Sequence, residues 1–450
     1  MPLVTAISEV PARFHWGRAR PLTKVSVPDG MSPEEVANCM VGMGPMAWLD
    51  GECPGGWRGT LLAHNPELEL TGWLGSPSDR QRLRELAAAD APPADSGTAG
   101  ADSRGAGARR SFPDRMVIGA IEFDGRFWFG RFTQALWHDR FRGEWYGSVE
   151  LADKVRRRLA RKGGTQAAPS LRFVECIGAG EFGSMVRKAQ EWIASGDIYQ
   201  VNLARKYLAD WPQDCEGAEL ALFQRMRRIS PAPHASFLDL GPGRRKVLSV
   251  SPETFMKFAG RQVETQPIKG TRPRARNRQE DLRLAAELMT CPKERAELIM
   301  ITDLLRNDLG QVCEFGSIRV PELLQLKRFS HVQHLISTVS GRLREGLDAW
   351  DVLAACSPGG SISGAPKRRA LEVIAEIEKH ARGLYTGSIG WLDGRGQGEF
   401  SIAIRSLVIE SGQAHFHVGA GLVADSLADR EFQETCHKAA GLLQACSRQG

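Results

Sequence analysis

Apolar side chains follow two rhythms along this 450-residue chain: a spacing of three to four residues that predicts helices, and a strict alternation that predicts strands. Residues 116–123 and 126–132 are rich in β-branched and aromatic side chains. Asp124-Gly125 between them supplies the backbone freedom of a tight turn, so a β-hairpin is expected there. A shorter strand is expected at residues 57–63. From about residue 180 the elements lengthen, and the spacing predicts helices over 181–194 and 216–228 and strands over 201–207 and 236–240. Toward the C-terminus, runs at 384–392, 400–409 and 414–418 are joined by short polar links. That pattern predicts an antiparallel meander and argues against a doubly wound parallel sheet.

Composition changes this picture in one place. Residues 87–111 are almost entirely Ala, Gly, Asp, Ser, Pro and Arg, a mixture that buries too little apolar surface to offset its ordering entropy, so a disordered surface insert is expected near 87–111. Elsewhere, 42% hydrophobic and 25% charged residues suit a soluble globular protein. No run approaches the roughly 18 to 20 apolar residues needed to span a bilayer. Met1-Pro2-Leu3-Val4 opens no basic-then-apolar leader, so the expected location is cytoplasmic. The nine cysteines are scattered and never spaced C-x-x-C, which implies a reducing compartment and excludes a zinc knuckle.

The formal net charge of +6 gathers in runs such as 154–158 and 225–228, which at helical spacing are expected to be solvated helix faces. No nucleic-acid-binding module accompanies them, so neither nucleic acid nor membrane is expected as a partner. The same positive field would draw in an anionic small substrate.

Candidate chemistry begins with carboxylates. Pro292 opens a helix in which Glu294 and Glu297 share one face, and a second helix carries Glu431 and Glu434 at the same spacing, with Lys438 farther along that stripe. Such pairs suit a hard cation such as Mg²⁺ that keeps waters or takes a substrate oxygen. Spacing alone favours the plainer role of acids that complement a helix dipole and pair with Lys or Arg. His415 and His417 alternate on a strand and read as ordinary strand residues rather than ligands.

Residues 357–367 are a glycine-rich turn running into a helix, but Lys and Ser/Thr do not follow Gly364 as a phosphate loop requires. Amides at such a helix start suit a carboxylate, and Gly419-Ala420-Gly421 offers a similar nest. Gly51-Glu52-Cys53-Pro54-Gly55 superficially matches a glutaminase nucleophile elbow. It shows no preceding buried strand, puts proline after the cysteine and lacks an H-x-E partner, so it reads as a turn. Lys269, in Pro267-Ile268-Lys269-Gly270-Thr271, is a primary amine at a kinked, partly apolar position rather than on a solvated helix face.

These pieces occur with Asp197-Ile198-Tyr199-Gln200-Val201-Asn202-Leu203, Ser251-Pro252-Glu253, Asp303-Leu304-Leu305-Arg306-Asn307-Asp308-Leu309-Gly310, His334-Leu335 and the tail from Tyr385 through Lys438. On these motifs the chain is identified as a member of the chorismate-utilising enzyme family. The resemblance implies an α+β fold, a large antiparallel β-sandwich of two packed sheets with helices on the outside. Residues 175–448 would form the chorismate-binding catalytic domain, and residues 1–150 an N-terminal region contributing to the sandwich. The resemblance also overturns the plainer reading of the acids. It implies that Glu297 and Glu434 hold Mg²⁺ against the substrate's ring carboxylate, with Glu294 and Glu431 supporting through water.

Family members differ in nucleophile. Where this chain has Gln200, isochorismate and salicylate synthases carry a lysine that activates water; where it has Lys269, anthranilate synthases usually carry a small residue. The P-I-K-G-T pattern is similar to that of the para-aminobenzoate and folate branch, whose reaction aminates chorismate at C4 with retained configuration. Two successive displacements through a lysine adduct at C2 give that outcome, although Lys269 could instead only steer the substrate. Glu253 is then the implied general acid for the departing 4-hydroxyl and later the base toward ammonia. His334 is expected near the leaving hydroxyl, and Tyr385 and Arg405 at the enolpyruvyl carboxylate. Gly270, Thr271, Gly419, Gly421 and Lys438 are expected to line the same pocket, and Ser361 either binds substrate there or is a turn residue. The implied partners are chorismate, ammonia and a separate glutamine amidotransferase subunit, because neither a glutaminase domain nor a fused lyase is expected before Gly450.

Overall fold

The computed structural model describes residues 24–25, 27, 30–53, 57–88, 116–159, 167–212, 217–329 and 332–447. Two antiparallel sheets, of 11 and 10 strands, pack face to face. Their facing sides share one apolar cluster, with Leu61, Trp137 and Val247 from the first and Ile118, Phe132 and Trp391 from the second.

Helices cover both outer faces, as an amphipathic helix must to bury its apolar stripe. Pro33–Met40, Val149–Leu159, Ala218–Ile229 and Ala428–Cys446 bury Trp48 and Phe237 of the 11-strand sheet. Pro77–Ala87, Pro292–Gly310 and Ala349–Cys356 cover the other sheet, where Phe129 meets Trp350 edge-on at 5.1 Å. Early and late segments pair directly in both sheets: Met46–Cys53 with His234–Asp239, and Met116–Ile121 with Ser388–Asp393.

The expected hairpin forms between Met116–Ile121 and Arg126–Phe132, with Gly125 at φ +87° in its turn. The C-terminal meander divides differently from the expectation. Residues 384–387 turn rather than extend, and the expected strand over 400–409 is two strands, Gln397–Ile402 in the 10-strand sheet and Ser406–Glu410 in the 11-strand sheet. The chain changes sheets at residues 403–405, where Arg405 adopts φ +52°, a conformation costly for any residue with a Cβ.

A second crossover, Pro252-Glu253, joins Lys246–Ser251 in one sheet to Thr254–Ala259 in the other. The two crossovers are hydrogen-bonded to each other. Ile402 N–H donates to the Glu253 carbonyl and Val250 N–H to the Arg405 carbonyl, each at 3.1 Å.

Arg156, Arg157 and Arg158 are exposed as expected, but in the 225–228 run only Arg228 is. Arg227 lies over the Trp48 ring at 4.5 Å, with Nη2 2.7 Å from Asp50, so a basic residue serves as a packed counter-ion. Met46–Cys53 is a buried strand up to Asp50, contrary to the expectation that none precedes Cys53; Pro54 and Gly55 lie outside the described residues. Residues 89–115, which include most of the expected insert, also lie outside them. Among the described residues, no helix is long and apolar enough to cross a membrane.

Candidate active site

A cavity of about 760 Å³ opens where the two crossovers, the strands Ile268–Pro273 and Gln413–Leu422, and the helices Pro292–Gly310 and Ala428–Cys446 converge. That volume lies within the range typical of small-molecule sites. Of the residues assigned to the site from the sequence, all line it except Gly421 and Glu431.

Ile268–Pro273 pairs antiparallel with Val332–Arg342, and its register skips a residue: Lys269 faces Leu335 while Thr271 faces His334. Gly270 is the extra residue of this bulge, which re-aims the side chains beside it. Its φ of +73° favours glycine, and a Cβ there would stand 2.6 Å from Leu288 Cδ1 and 3.0 Å from Glu294 Oε2. The bulge brings Lys269 and Thr271 to the cavity together. Lys269 Nζ lies 3.5 Å from Glu297 Oε2, and Thr271 Oγ1 is hydrogen-bonded to His334 Nδ1 at 2.9 Å. Burial, then the Arg405 charge, pushes the His334 imidazole down to about 4, so it is neutral at neutral pH.

Glu253 sits on its crossover with its carboxyl buried. Burial pushes it up to about 7, although the Ser361 hydroxyl, Lys269, Lys438 and the Ile268 N–H all favour the carboxylate. The Ser361 hydroxyl donates to Glu253 Oε1 at 2.8 Å, so this turn residue has a protein partner inside the cavity.

The acids come from two helices as expected. Burial, then repulsion from Glu297, holds Glu294 above the ordinary carboxylate range. Burial also raises Glu431, which accepts from Ser426 Oγ at 2.8 Å. Burial opposes ionisation of Glu434 too, but Lys438 Nζ at 2.7 Å outweighs it and leaves this carboxyl below its ordinary value. Lys293, 3.9 Å from Glu297, joins the cluster. Its place beside Glu294 in the same first turn was the sequence signal for it.

Among the described residues, no three His, Cys, Asp or Glu side chains converge closely enough to hold an ion by themselves. Two carboxylates on separate helices, with lysines as their present counter-ions and open cavity beside them, fit a hydrated Mg²⁺ that takes a further oxygen from a substrate.

At another wall, burial lowers the Arg405 guanidinium from its ordinary value, and no described carboxylate pairs with it. Arg405 stands on the crossover rather than inside the strand expected over 400–409. Tyr385, in a turn rather than a strand, stacks on His417 at 5.5 Å, and burial raises its hydroxyl pKa. A Cβ on Gly419 would stand 2.6 Å from Asn202 Oδ1 and 2.8 Å from Tyr385 Oη, so only glycine lets that strand approach. The Gly419 carbonyl accepts from Lys438 Nζ at 2.9 Å. Behind it, the Cβ position of Gly421 lies 2.7 Å from Gln200 Nε2 and 3.6 Å from Lys269 Nζ. Asn202 Oδ1 and His417 Nε2 are buried without a hydrogen-bond partner in this wall. Sequence reasoning assigned neither to the site, because each reads as an ordinary strand residue.

Comparison with known proteins places this geometry in context. A family model described as chorismate binding enzyme matches residues 122–444. Anthranilate synthase component 1 of Streptomyces coelicolor is 46% identical over 271 residues, 60% of this chain and 52% of that protein. Aminodeoxychorismate synthase component 1 of Escherichia coli is 44% identical over 264 residues, 59% of this chain and 57% of that protein. The chain thus spans little more than half the length of these relatives. The crystal structure of anthranilate synthase component I from Streptococcus pneumoniae superposes with a TM-score of 0.71 at 26% identity, covering 87% of this chain and 93% of that one. The menaquinone-specific isochorismate synthase of Escherichia coli shares the fold, with a TM-score of 0.71 at 19% identity over 95% of this chain and 96% of its own.

Proposed function

Because the chain belongs to the chorismate-binding enzyme family, we propose that it is an aminodeoxychorismate synthase, aminating chorismate at C4 to give 4-amino-4-deoxychorismate. The observation that carries this reading is the Lys269 amine in the cavity, on a bulged strand whose neighbouring Ile268 N–H holds Glu253.

In the first displacement, the Lys269 nitrogen adds at C2 through its lone pair, the two conjugated ring double bonds both shift toward C4, and the C4–O bond breaks. Glu253 gives its proton to the departing hydroxide, which leaves as water. A carboxyl near 7 suits that task at neutral pH. In the second displacement, ammonia adds at C4, the two double bonds shift back, the C2–N bond breaks and returns the Lys269 amine, and the Glu253 carboxylate takes a proton from the new ammonium. The sum is chorismate plus ammonia giving product plus water, with both residues restored. His334 is neutral and positioned by Thr271, so its role is to hydrogen-bond the leaving hydroxyl rather than to supply the proton.

Arg405 and Tyr385 bind the enolpyruvyl carboxylate, an assignment supported by a half-buried guanidinium with no described protein counter-ion. Gly419 and Lys438 shape the floor with Gly421 behind them, and Glu297 and Glu434, backed by Glu294 and Glu431, would hold Mg²⁺. When bound, Mg²⁺ would neutralise and orient the ring carboxylate. Relatives named as component 1 support a partner amidotransferase that supplies the ammonia.

Making anthranilate is the second reading, favoured by the 46% identity to an anthranilate synthase component 1. Ammonia would then add at C2 directly and Lys269 would bond to nothing. Chorismate, Mg²⁺ and ammonium incubated with the protein, with products identified by mass, separate the two readings. Dominant anthranilate sinks the first. Lys269→Ala is expected to slow formation of 4-amino-4-deoxychorismate at least about a hundredfold, and an unchanged rate removes the covalent step.

A further inference from the structure

The loop that carries Ser361 is closed by a buried ion pair. Lys367 Nζ lies 2.6 Å from Asp308 Oδ2 and donates to the Cys356 carbonyl at 3.0 Å. Cys356 ends one helix and Lys367 begins the next, so a single ammonium ties together the two ends of the loop between them. Asp308, in the last turn of Pro292–Gly310, ties both to the helix whose first turn carries Glu294. The pair is shielded from solvent, with side-chain exposures of 3% for Asp308 and 16% for Lys367.

Within the loop, Gly360 rests against that same helix. A Cβ there would stand 2.7 Å from Leu304 Cδ2 and 3.6 Å from Asp308 Oδ2. The next residue is Ser361, whose hydroxyl reaches Glu253. The loop's later half has separate anchors: Arg382 Nη1 donates to the Ile362 carbonyl at 3.2 Å, and Asn202 N–H to the Ser363 carbonyl at 2.8 Å. The half before Ser361 leans on the helix through the ion pair and Gly360.

Stability alone explains such a pair poorly, since replacing a buried ion pair with apolar residues of similar volume is often neutral or favourable. We propose that the Asp308–Lys367 pair is a positioning device: it seats Gly360 on the helix and thereby aims the Ser361 hydroxyl at Glu253 Oε1. The geometric claim concerns the loop, and its consequence for catalysis rests on the reading of Glu253 as the general acid.

The charged groups acting on Glu253 are Lys269 and Lys438, with the Ser361 hydroxyl and Ile268 N–H as its hydrogen-bond donors. Loss of the pair should therefore reach Glu253 through Ser361. In the full chain labelled with carboxyl-¹³C glutamate, the Glu253 resonance is assigned by its loss in E253Q and titrated in S361A, K367M, K367R, D308N/K367Q and S361A/K367M. S361A should raise the Glu253 midpoint by about one pH unit, because a donor to the carboxylate is lost. K367M and D308N/K367Q should raise it equally, S361A/K367M no further than either single change, and K367R should stay close to the unaltered protein.

The D308N/K367Q variant leaves no stranded buried charge, so it tests the latch where K367M folds poorly. A midpoint that stays fixed in D308N/K367Q, adds to that of S361A in the combined variant, or fails to move in S361A itself overturns the proposal. Chorismate consumption is followed in the same samples. Unaltered chorismate would sink the proposed function while the titration still decides the latch.

Discussion

Ser361 Oγ stands 2.8 Å from Glu253 Oε1 and donates its proton there, joining a glycine-rich loop to a carboxyl that burial has pushed up to about 7. The bond favours the ionised form, so Ser361→Ala should make Glu253 a weaker acid still. The candidate acid must be protonated for the first displacement, and the fall of kcat/KM for chorismate above neutral pH should move upward by up to about one unit. The check is a pH profile of Ser361→Ala at constant free ammonia. A limb that stays in place or moves down contradicts it.

Glu253 also makes stability depend on pH. Its folded value of about 7 exceeds the ordinary 4.5, so the folded chain binds the proton more tightly than the unfolded one. The stabilisation is fully present below about 4.5 and is lost as pH rises through 7. Glu253→Gln cannot ionise and should be the more stable protein above pH 7, by up to on the order of 3 kcal/mol. Urea titrations of both proteins at acid and alkaline pH measure the difference. Parallel curves at all pH values would mean that the buried carboxyl is not strained by ionisation.

Arg405→Lys keeps a positive charge but loses the planar fork that grips a carboxylate with two bonds. It also keeps a Cβ at φ +52°, so the backbone cost is the same in both proteins. The expected result is a KM for chorismate raised about tenfold to a hundredfold with a smaller change in kcat. Steady-state kinetics decide it, and a fall confined to kcat would place Arg405 in the chemistry instead of in binding.

Gly270→Ala puts a methyl group 2.6 Å from Leu288 Cδ1 and 3.0 Å from Glu294 Oε2 at a left-handed φ of +73°. Strain at such a position costs about 1 to 3 kcal/mol, and relieving the clash shifts the strand beneath Lys269. Activity should therefore fall by more than the loss in thermal stability accounts for. A melt and a rate measured at the same temperature compare the two, and a variant as active as the parent would show that the bulge does not aim Lys269.

Much of the candidate site was legible because its residues lie in short motifs whose internal geometry is local. Pro292 fixes the start of the helix that aims Glu294 and Glu297, and Asp124-Gly125 fixes a hairpin. What escaped depends on distant partners. From Ile402 to Ile409 the only polar residues are Arg405 and Ser406, too brief a break to say that the chain leaves one sheet for the other there. Arg227 reads as one of a basic run because its acceptor Asp50 and its stacking partner Trp48 lie far away in sequence. Ser361 looks like a turn residue until Glu253, more than a hundred positions earlier, is brought beside it.

The two crossovers near Glu253 and Arg405 act mechanically as a pair of rivets through the seam of the sandwich, locked by the Ile402 and Val250 amides. Sliding one sheet over the other would have to shear both rivets together. The distance between Glu253 and Arg405 is therefore set by main chain, and softening of either outer helical layer should leave that alignment intact until the sandwich itself opens.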